Sequence, residues 1–290
     1  CSHALDDLES EMIWIMKRMG LSGDFENYYR TDSEEYRKLT QATFIELWKR
    51  GLIYTATRPN NYCWECGTTL ADAEIDYEEM PANLVYIKFK VKEDDSILII
   101  ATTRPELLVS CKAVIVNPND NRHSHLHWKH AIVPIYGQEV EIIPHPAAKP
   151  EFGTGAVMVC SYGDYTDVLL FRELGLREVV AINEEGRMTE VTGKYSGMRV
   201  ADAREAITRD LEEAGLVVKI EEIIHRTPIC ERSKTPIEII PMKEYYLKQL
   251  DFVDDLLNII EKMKFHPPHH KRLLIDWINS LRIDWPISRR

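Results

Sequence analysis

Apolar positions over the first fifty residues recur at helical spacing. Leu5, Leu8, Met12, Ile15, Met16 and Met19 form one stripe between residues 2 and 19, and Tyr36, Leu39, Phe44 and Leu47 form another between about 32 and 50, so two amphipathic helices are predicted. Thr31 and Glu34 have the spacing of a capping box, and Gly51 supplies a stop. From Leu84 the period changes to two. Val85, Ile87, Phe89 and Val91 alternate with Tyr86, Lys88 and Lys90, as in a half-buried strand. Short β-like runs recur at 97–101, 113–116, 131–135, 139–144, 156–160 and 178–182, separated by "NPND", "YGQ" and Pro/His/Ala-rich turns. Helices are expected at about 165–174 and 200–214, a strand at 216–224, and two helical segments at about 242–263 and 269–281, broken by "HPPHH". A β middle between helical ends reads as an α+β chain in which one domain is inserted into another.

Composition narrows this picture. A chain of 290 residues has room for two or more compact units. No apolar run approaches the roughly 20 residues of a membrane span, so a soluble protein without a membrane partner is expected. Cys1 stands where an initiator Met would, and no leader pattern follows it, as in a piece of something longer. The net charge of −11 argues against a protein that grips nucleic acid everywhere by charge alone. A local grip remains open: residues 261–290 hold seven Lys or Arg against three Asp or Glu, with Lys271, Arg272, Arg289 and Arg290 the candidates nearest phosphate. Of six cysteines, Cys63 and Cys66 form a C-x-x-C while Cys1, Cys111, Cys160 and Cys230 are scattered. That usage suits a reducing cytoplasm better than a disulfide framework.

Four constellations carry candidate chemistry. "ATTRPELL" (101–108) leaves a strand with Thr102, Thr103 and Arg104, which either bind a small polar group and a phosphate or satisfy local backbone. "FGTGAVMVCSYGDYTD" (152–167) begins with a Gly153-Thr154-Gly155 turn, whose backbone must come close to something; it matches neither the dinucleotide nor the phosphate loop. The same stretch ends in Asp164 and Asp167, which share one face if a helix starts there. They also fit a helix cap and a first-turn acid. Cys63 and Cys66 have zinc spacing and Cys230 is a third thiol, but Ser233 stands where a fourth would be expected. Three thiolates with His225 or water, or an empty knuckle, are the alternatives. His123, His125, His127 and His130 lack accompanying ligands and read as an exposed loop.

Taken together, "ATTRPELL", "AVIVNPND", "HAIVPIYGQEVEIIP", "EFGTGAVMVCSYGDYTD" and "GRMTEVTGKYSGMRVADAREAI", in that order and spacing, resemble the editing insertion of class I valyl-tRNA synthetases and, more loosely, of the isoleucyl and leucyl enzymes. "PEFGTGAVMVCSYGD" and "HRTPICERSKTPIE" look more like valyl enzymes of the archaeal type. The resemblance implies a β-rich, barrel-like editing domain at 83–224. Flanking it would be a helical segment with a knuckle-like turn at 1–82 and a second knuckle half with a helical return at 225–290. It implies hydrolysis of the ester in mischarged Thr-tRNA(Val), with Asp167 pairing the substrate ammonium and Asp164 meeting the threonine hydroxyl or a water. Thr102, Thr103, Arg104, Glu106, Gly153, Thr154 and Gly155 would line the pocket. It also implies a monomer in the cytoplasm, whose partners are the tRNA(Val) acceptor end, the threonyl ester and the rest of the synthetase chain. No cofactor is implied for editing, and a structural zinc on Cys63, Cys66 and Cys230 stays open. The His-Ile-Gly-His and Lys-Met-Ser-Lys-Ser signatures of the catalytic domain do not occur in this sequence, so editing rather than amino-acid activation is the implied activity. The other open readings are an editing domain of isoleucyl or leucyl specificity and a catalytically silent tRNA-positioning module. Gly163 stands where many relatives have His, and Met158 and Cys160 where bacterial valyl enzymes have Lys and Thr.

Overall fold

The computed structural model describes residues 2–289. In chain order the elements are α1 (Ser2–Arg18), α2 (Glu34–Lys49), β1 (Ile53–Cys63), β2 (Thr68–Thr69), β3 (Ile75–Val91), β4 (Ile97–Thr102), β5 (Cys111–Val116), β6 (His130–Ile132), β7 (Glu139–Pro144) and β8 (Ala156–Cys160). There follow α3 (Tyr165–Glu173), α4 (Val200–Glu213), β9 (Val217–Cys230), β10 (Glu238–Leu247), α5 (Val253–Lys262), α6 (His270–Ser280) and β11 (Trp285–Pro286). The fold is α+β. It divides into two compact units, one of Cys1–Tyr54 and Tyr246–Trp285, the other of Thr55–Tyr245 and Pro286–Arg290.

The first unit is mainly helical, and α1, α2 and α6 lie close to their expected segments. The cap of α2 differs from expectation. Ser33, not Thr31, is the N-cap, and its hydroxyl accepts from the Tyr36 N–H at 3.2 Å. The helix starts at Glu34, so only residue 33 lies at the right distance from the unpaired amide. Gly51, at φ +68°, ends the segment as its sequence suggests.

The second unit is built around a strongly curled mixed sheet with the order β4-β3-β6-β7-β5-β8, in which β9 pairs along β3. β5 and β7 run parallel and the other pairs antiparallel. Strand alternation puts two cores on the two faces of β5 and β8. Val114, Val116, Met158 and Cys160 join the main core with Val85, Ile87, Phe89, Ile100, Leu108 and the α4 residues Ala203, Ile207 and Leu211. Ala113, Ile115 and Val159 face the other way and pack with Leu170 and Phe171 of α3. Each fully buried Leu, Ile or Phe here is worth about 1.5–3 kcal/mol of transfer free energy. The sheet is thereby gripped on both sides where β8 hands over to α3.

Several expected elements differ. Residues 178–182 form no strand; a single bridge, Ile182 to Met188, is what pairs there. β3 begins at Ile75 rather than Leu84 and β9 runs to Cys230, the two pairing from Ile75↔Cys230 to Ile87↔Val217. Most of residues 75–83 are exposed on both faces, so mutual backbone pairing and not a hydrophobic period holds that ribbon. The helix expected from 242 starts at Val253, and residues 238–247 are instead strand β10.

Candidate functional site

Two loops of the second unit meet the end of β4 and the turn after it: the 153–155 loop that precedes β8 and the 160–167 turn that follows β8. β4 runs out at Thr102, whose buried hydroxyl accepts from the Arg104 N–H at 3.0 Å and so fixes the turn. Thr103 is half-buried beside it. Residues 105–110 then form a buried 3-10 segment with Pro105 at its start.

The Gly-Thr-Gly loop lies against the last residues of β4. Gly153 has φ +56°, and a Cβ there would sit 3.0 Å from the Cβ of Ala101. At Gly155, φ is +81°, and a Cβ would meet Arg122 Nη2 at 2.7 Å and Asp120 Oδ2 at 3.0 Å. Glycine is required at both positions by conformation and by space. The neighbouring 117–123 loop is the clamp. Arg122 pairs with Asp120 at 2.6 Å and donates to the Pro150 carbonyl at 2.7 Å, while His123 Nε2 bonds the Thr154 carbonyl at 2.9 Å. The exposed-loop reading of the histidines is therefore corrected for His123, which is half-buried and supports the site. His130 pairs with Glu93 at 2.7 Å and His125 is exposed.

Arg104 does not reach outward. Its Nε donates to Glu106 at 2.9 Å, its Nη2 to Glu238 at 2.6 Å and its Nη1 to the Gly163 carbonyl at 3.2 Å. Glu106, fully buried, is also held in a two-pronged pair by Arg204 at 2.7 and 2.9 Å. Burial alone would raise the Glu106 pKa, but the Arg204 and Arg104 charges outweigh it and hold the carboxyl below its usual range. Arg104 and Glu106 are engaged within the protein, in a charge-balanced chain Glu238–Arg104–Glu106–Arg204; Glu106 is fully buried, and Arg104 keeps a partly exposed guanidinium. Sequence reasoning missed Glu238 and Arg204. Nothing local marks them, because each becomes a partner only when β10 and α4 fold onto the 3-10 segment.

Asp164 is the N-cap of α3, with Oδ1 accepting from the Asp167 N–H at 2.8 Å. Asp167 lies in the first turn, half-buried, and its Oδ1 accepts from the Cys160 N–H at 3.3 Å. Burial first, and the Asp164 charge second, push the Asp167 pKa well above the ordinary carboxylate value; the Cys160 and Asp164 backbone bonds and Arg104 oppose this without cancelling it. The capping and first-turn alternatives thus describe real geometry, while Asp167 also carries a charge its surroundings disfavour. Met158 and Cys160 turn their side chains into the main core. What Cys160 gives the site is its backbone amide.

At the knuckle, the Cys63, Cys66 and Cys230 sulfurs lie within 4.8 Å of one another. A tetrahedral zinc with Zn–S bonds of about 2.3 Å needs sulfurs roughly 3.8 Å apart, and Cys66 and Cys230 are at 3.9 Å. Ser233 Oγ is 3.2 Å from Cys63 Sγ. Burial disfavours the Cys230 thiolate, but bonds from the Ser233 and Arg232 amides draw its pKa down to about 7. The residues fit a zinc held by three thiolates. His225 is not among them; its Nδ1 bonds Thr227 Oγ1 at 3.2 Å. Of the basic candidates, Lys271 pairs with Glu261, Arg272 with Asp276 and Arg289 with Glu74, and Arg290 lies outside the described residues.

The family profile described as "tRNA synthetases class I (I, L, M and V)" matches residues 3–290. The chain belongs to this family. Its similar curated relatives are archaeal proteins named valine–tRNA ligase. Those of Nanoarchaeum equitans and Aeropyrum pernix are 51% and 49% identical, each over the whole chain. The Pyrobaculum aerophilum protein is also 49% identical over the whole chain. The chain spans 38%, 35% and 36% of those relatives' lengths, respectively. Among the described residues no helix is long and apolar enough to cross a membrane.

Proposed function

We propose that the convergence of the 101–106, 153–155 and 160–167 stretches is the editing site of a valyl-tRNA synthetase, which hydrolyses threonine wrongly esterified to tRNA(Val). The observation that carries this reading is Asp167. A half-buried carboxylate whose charge is disfavoured by burial and by Asp164, with Arg104 compensating only in part, makes no direct ion pair among the described residues, and the α-ammonium of an aminoacyl ester supplies one through a charge-assisted bond. Asp164 is exposed and spends one oxygen on the cap, which leaves the other for the threonine hydroxyl.

The physical need for such a site is general. Valine and threonine are near isosteres, and in the established example of this enzyme class a hydrophobic pocket rejects the added hydroxyl by only about a hundredfold. A second site that hydrogen-bonds the hydroxyl prefers threonine, because valine would leave the polar partner unpaired. In the reaction, water adds to the ester carbonyl carbon, the tetrahedral intermediate breaks its bond to the ribose oxygen, and that oxygen takes a proton. The neighbouring ribose hydroxyl is the group that orders the water. The Thr102–Arg104 turn and the 153–155 backbone shape the pocket, and the buried Glu–Arg chain keeps the turn in place. The acceptor end of tRNA(Val), the rest of the synthetase chain and a cytoplasmic setting complete the proposal.

Comparing the deacylation of Thr-tRNA(Val) and Val-tRNA(Val) tests it. Faster hydrolysis of the threonyl ester supports the reading. Equal or reversed preference assigns the site to another amino acid, and no hydrolysis of either assigns the unit to tRNA positioning.

A further inference from the structure

The turn between β8 and α3 comes so close to its own helix that residue 163 has no room for a side chain. A Cβ built on Gly163 would lie 2.1 Å from Asp167 Oδ2 and 3.3 Å from its Cγ, whereas the next neighbour, Leu107 Cδ1, is at an ordinary 3.5 Å. Gly163 is not among the glycines with positive φ, so its backbone would suit any residue. The demand for glycine comes from the Asp167 carboxylate alone. That carboxylate is tethered from the far side by the Cys160 N–H at 3.3 Å, and the Gly163 carbonyl is itself held by Arg104 Nη1 at 3.2 Å. Arg104 is fixed in turn by Glu106 and Glu238.

We propose that Gly163 is a positioning residue for Asp167: having no side chain, it opens the niche in which the carboxylate folds back over the turn, and Arg104 fixes that niche through the Gly163 carbonyl. The functional half of this inference rests on the reading of Asp167 as the ammonium anchor; the structural half does not. Any side chain at 163 must evict the carboxylate, because the Asp167 side chain can rotate while the turn, bonded to Arg104, holds its place. An evicted carboxylate regains water and loses the Cys160 bond. The substrate ammonium then meets a mobile charge in place of a fixed one, and the ordering cost falls on binding.

The test is a four-member cycle in the 290-residue chain: wild type, Gly163→Ala, Asp167→Ala and the double variant. Thermal unfolding is followed for all four, and the Asp167 carboxyl carbon is titrated by NMR in the two that retain it. Measured near pH 4, where the Asp167 charge contributes little to stability, Gly163→Ala alone is expected to lower Tm by roughly 2–4 °C, while in the Asp167→Ala background the same change is neutral or slightly stabilising, since the obstructing oxygen is gone. This comparison stands even if Gly163→Ala folds poorly, because the double variant should then be rescued. In Gly163→Ala the Asp167 titration should move down toward the ordinary carboxylate range. The KM for Thr-tRNA(Val) hydrolysis should rise about tenfold, with kcat changed less. An equal Tm cost in both backgrounds, together with an unmoved Asp167 titration, would overturn the positioning role. If the cycle and titration behave as expected but Asp167→Ala hydrolyses the ester at full rate, the niche is upheld and the anchor reading is what fails.

Discussion

Asp167 is a carboxylate held where its charge is unfavourable, and that fixes how stability should respond to pH. Burial, then Asp164, raise its folded pKa above the roughly 3.9 of an unfolded aspartate. Between those two values the folded chain keeps a proton that the unfolded chain has lost, so the group's contribution falls as pH rises through the window and is fully unfavourable above it. Asp167→Asn, which keeps an acceptor for the Cys160 amide, is therefore expected to raise Tm at pH 8, with the gain vanishing below about pH 4. Thermal unfolding of both proteins across pH checks this, and a variant less stable than wild type at pH 8 would contradict it. Arg104 makes the opposite case. Its removal leaves Glu106 without one of its two cations and strands Glu238, at 0% and 7% exposure, and Arg104→Ala should cost about 3–5 kcal/mol in urea unfolding. Arg104→Lys should recover little, because one ammonium cannot span three acceptors. A cost near zero would return Arg104 to the substrate. The aspartate pair was readable from its i, i+3 spacing, but the inward turn of Arg104 was not, since "TTRPE" looks alike whether its arginine faces solvent or a carboxylate brought in from 134 residues further along.

At the scale of elements, the sequence was clearest where apolar residues form a regular stripe or a compact run between turn signals. β7 and β8 lie at their expected bounds, and α1, α3 and α4 within a residue or so at each end. β10 was misread because its inward positions are Glu238, Ile240, Met242, Glu244 and Tyr246. Two glutamates on the buried side erase the alternation that signals a strand. Both are engaged there, Glu238 by Arg104 and Glu244 by Thr69 and Ser288, so the chemistry that hid the strand is also its reason for being where it is. The knuckle was legible as far as its three thiols, and their closeness could not be read from spacing because Cys230 is 164 residues from Cys66. If the three thiolates hold zinc, Ser233→Cys adds a strong fourth ligand in place of a weak one. A chelator competition should then show tighter metal binding by the variant, while the β domain keeps its circular dichroism after metal removal. Equal affinity would mean that residue 233 does not face the ion.

For the whole molecule, the acidity that argues against general nucleic-acid binding is compatible with a tRNA partner confined to one pocket mouth, because single-stranded RNA ends are read by stacking and ribose contacts as much as by charge. Lys271, Arg272 and Arg289, three of the basic residues near the end of the chain, pair with acids of the same unit, which lowers the electrostatic pull they can exert. Membership of the class I synthetases follows from the match along nearly the whole chain, whereas the editing reaction stands on one carboxylate and its setting. The most direct measurement is the rate at which the 290-residue chain and its Asp167→Ala variant deacylate Thr-tRNA(Val), with the fold of each checked by circular dichroism. Loss of the ammonium's charge partner should slow hydrolysis on the order of a hundredfold or more in a protein that remains folded. A folded Asp167→Ala variant that hydrolyses the threonyl ester at the wild-type rate would contradict the assignment.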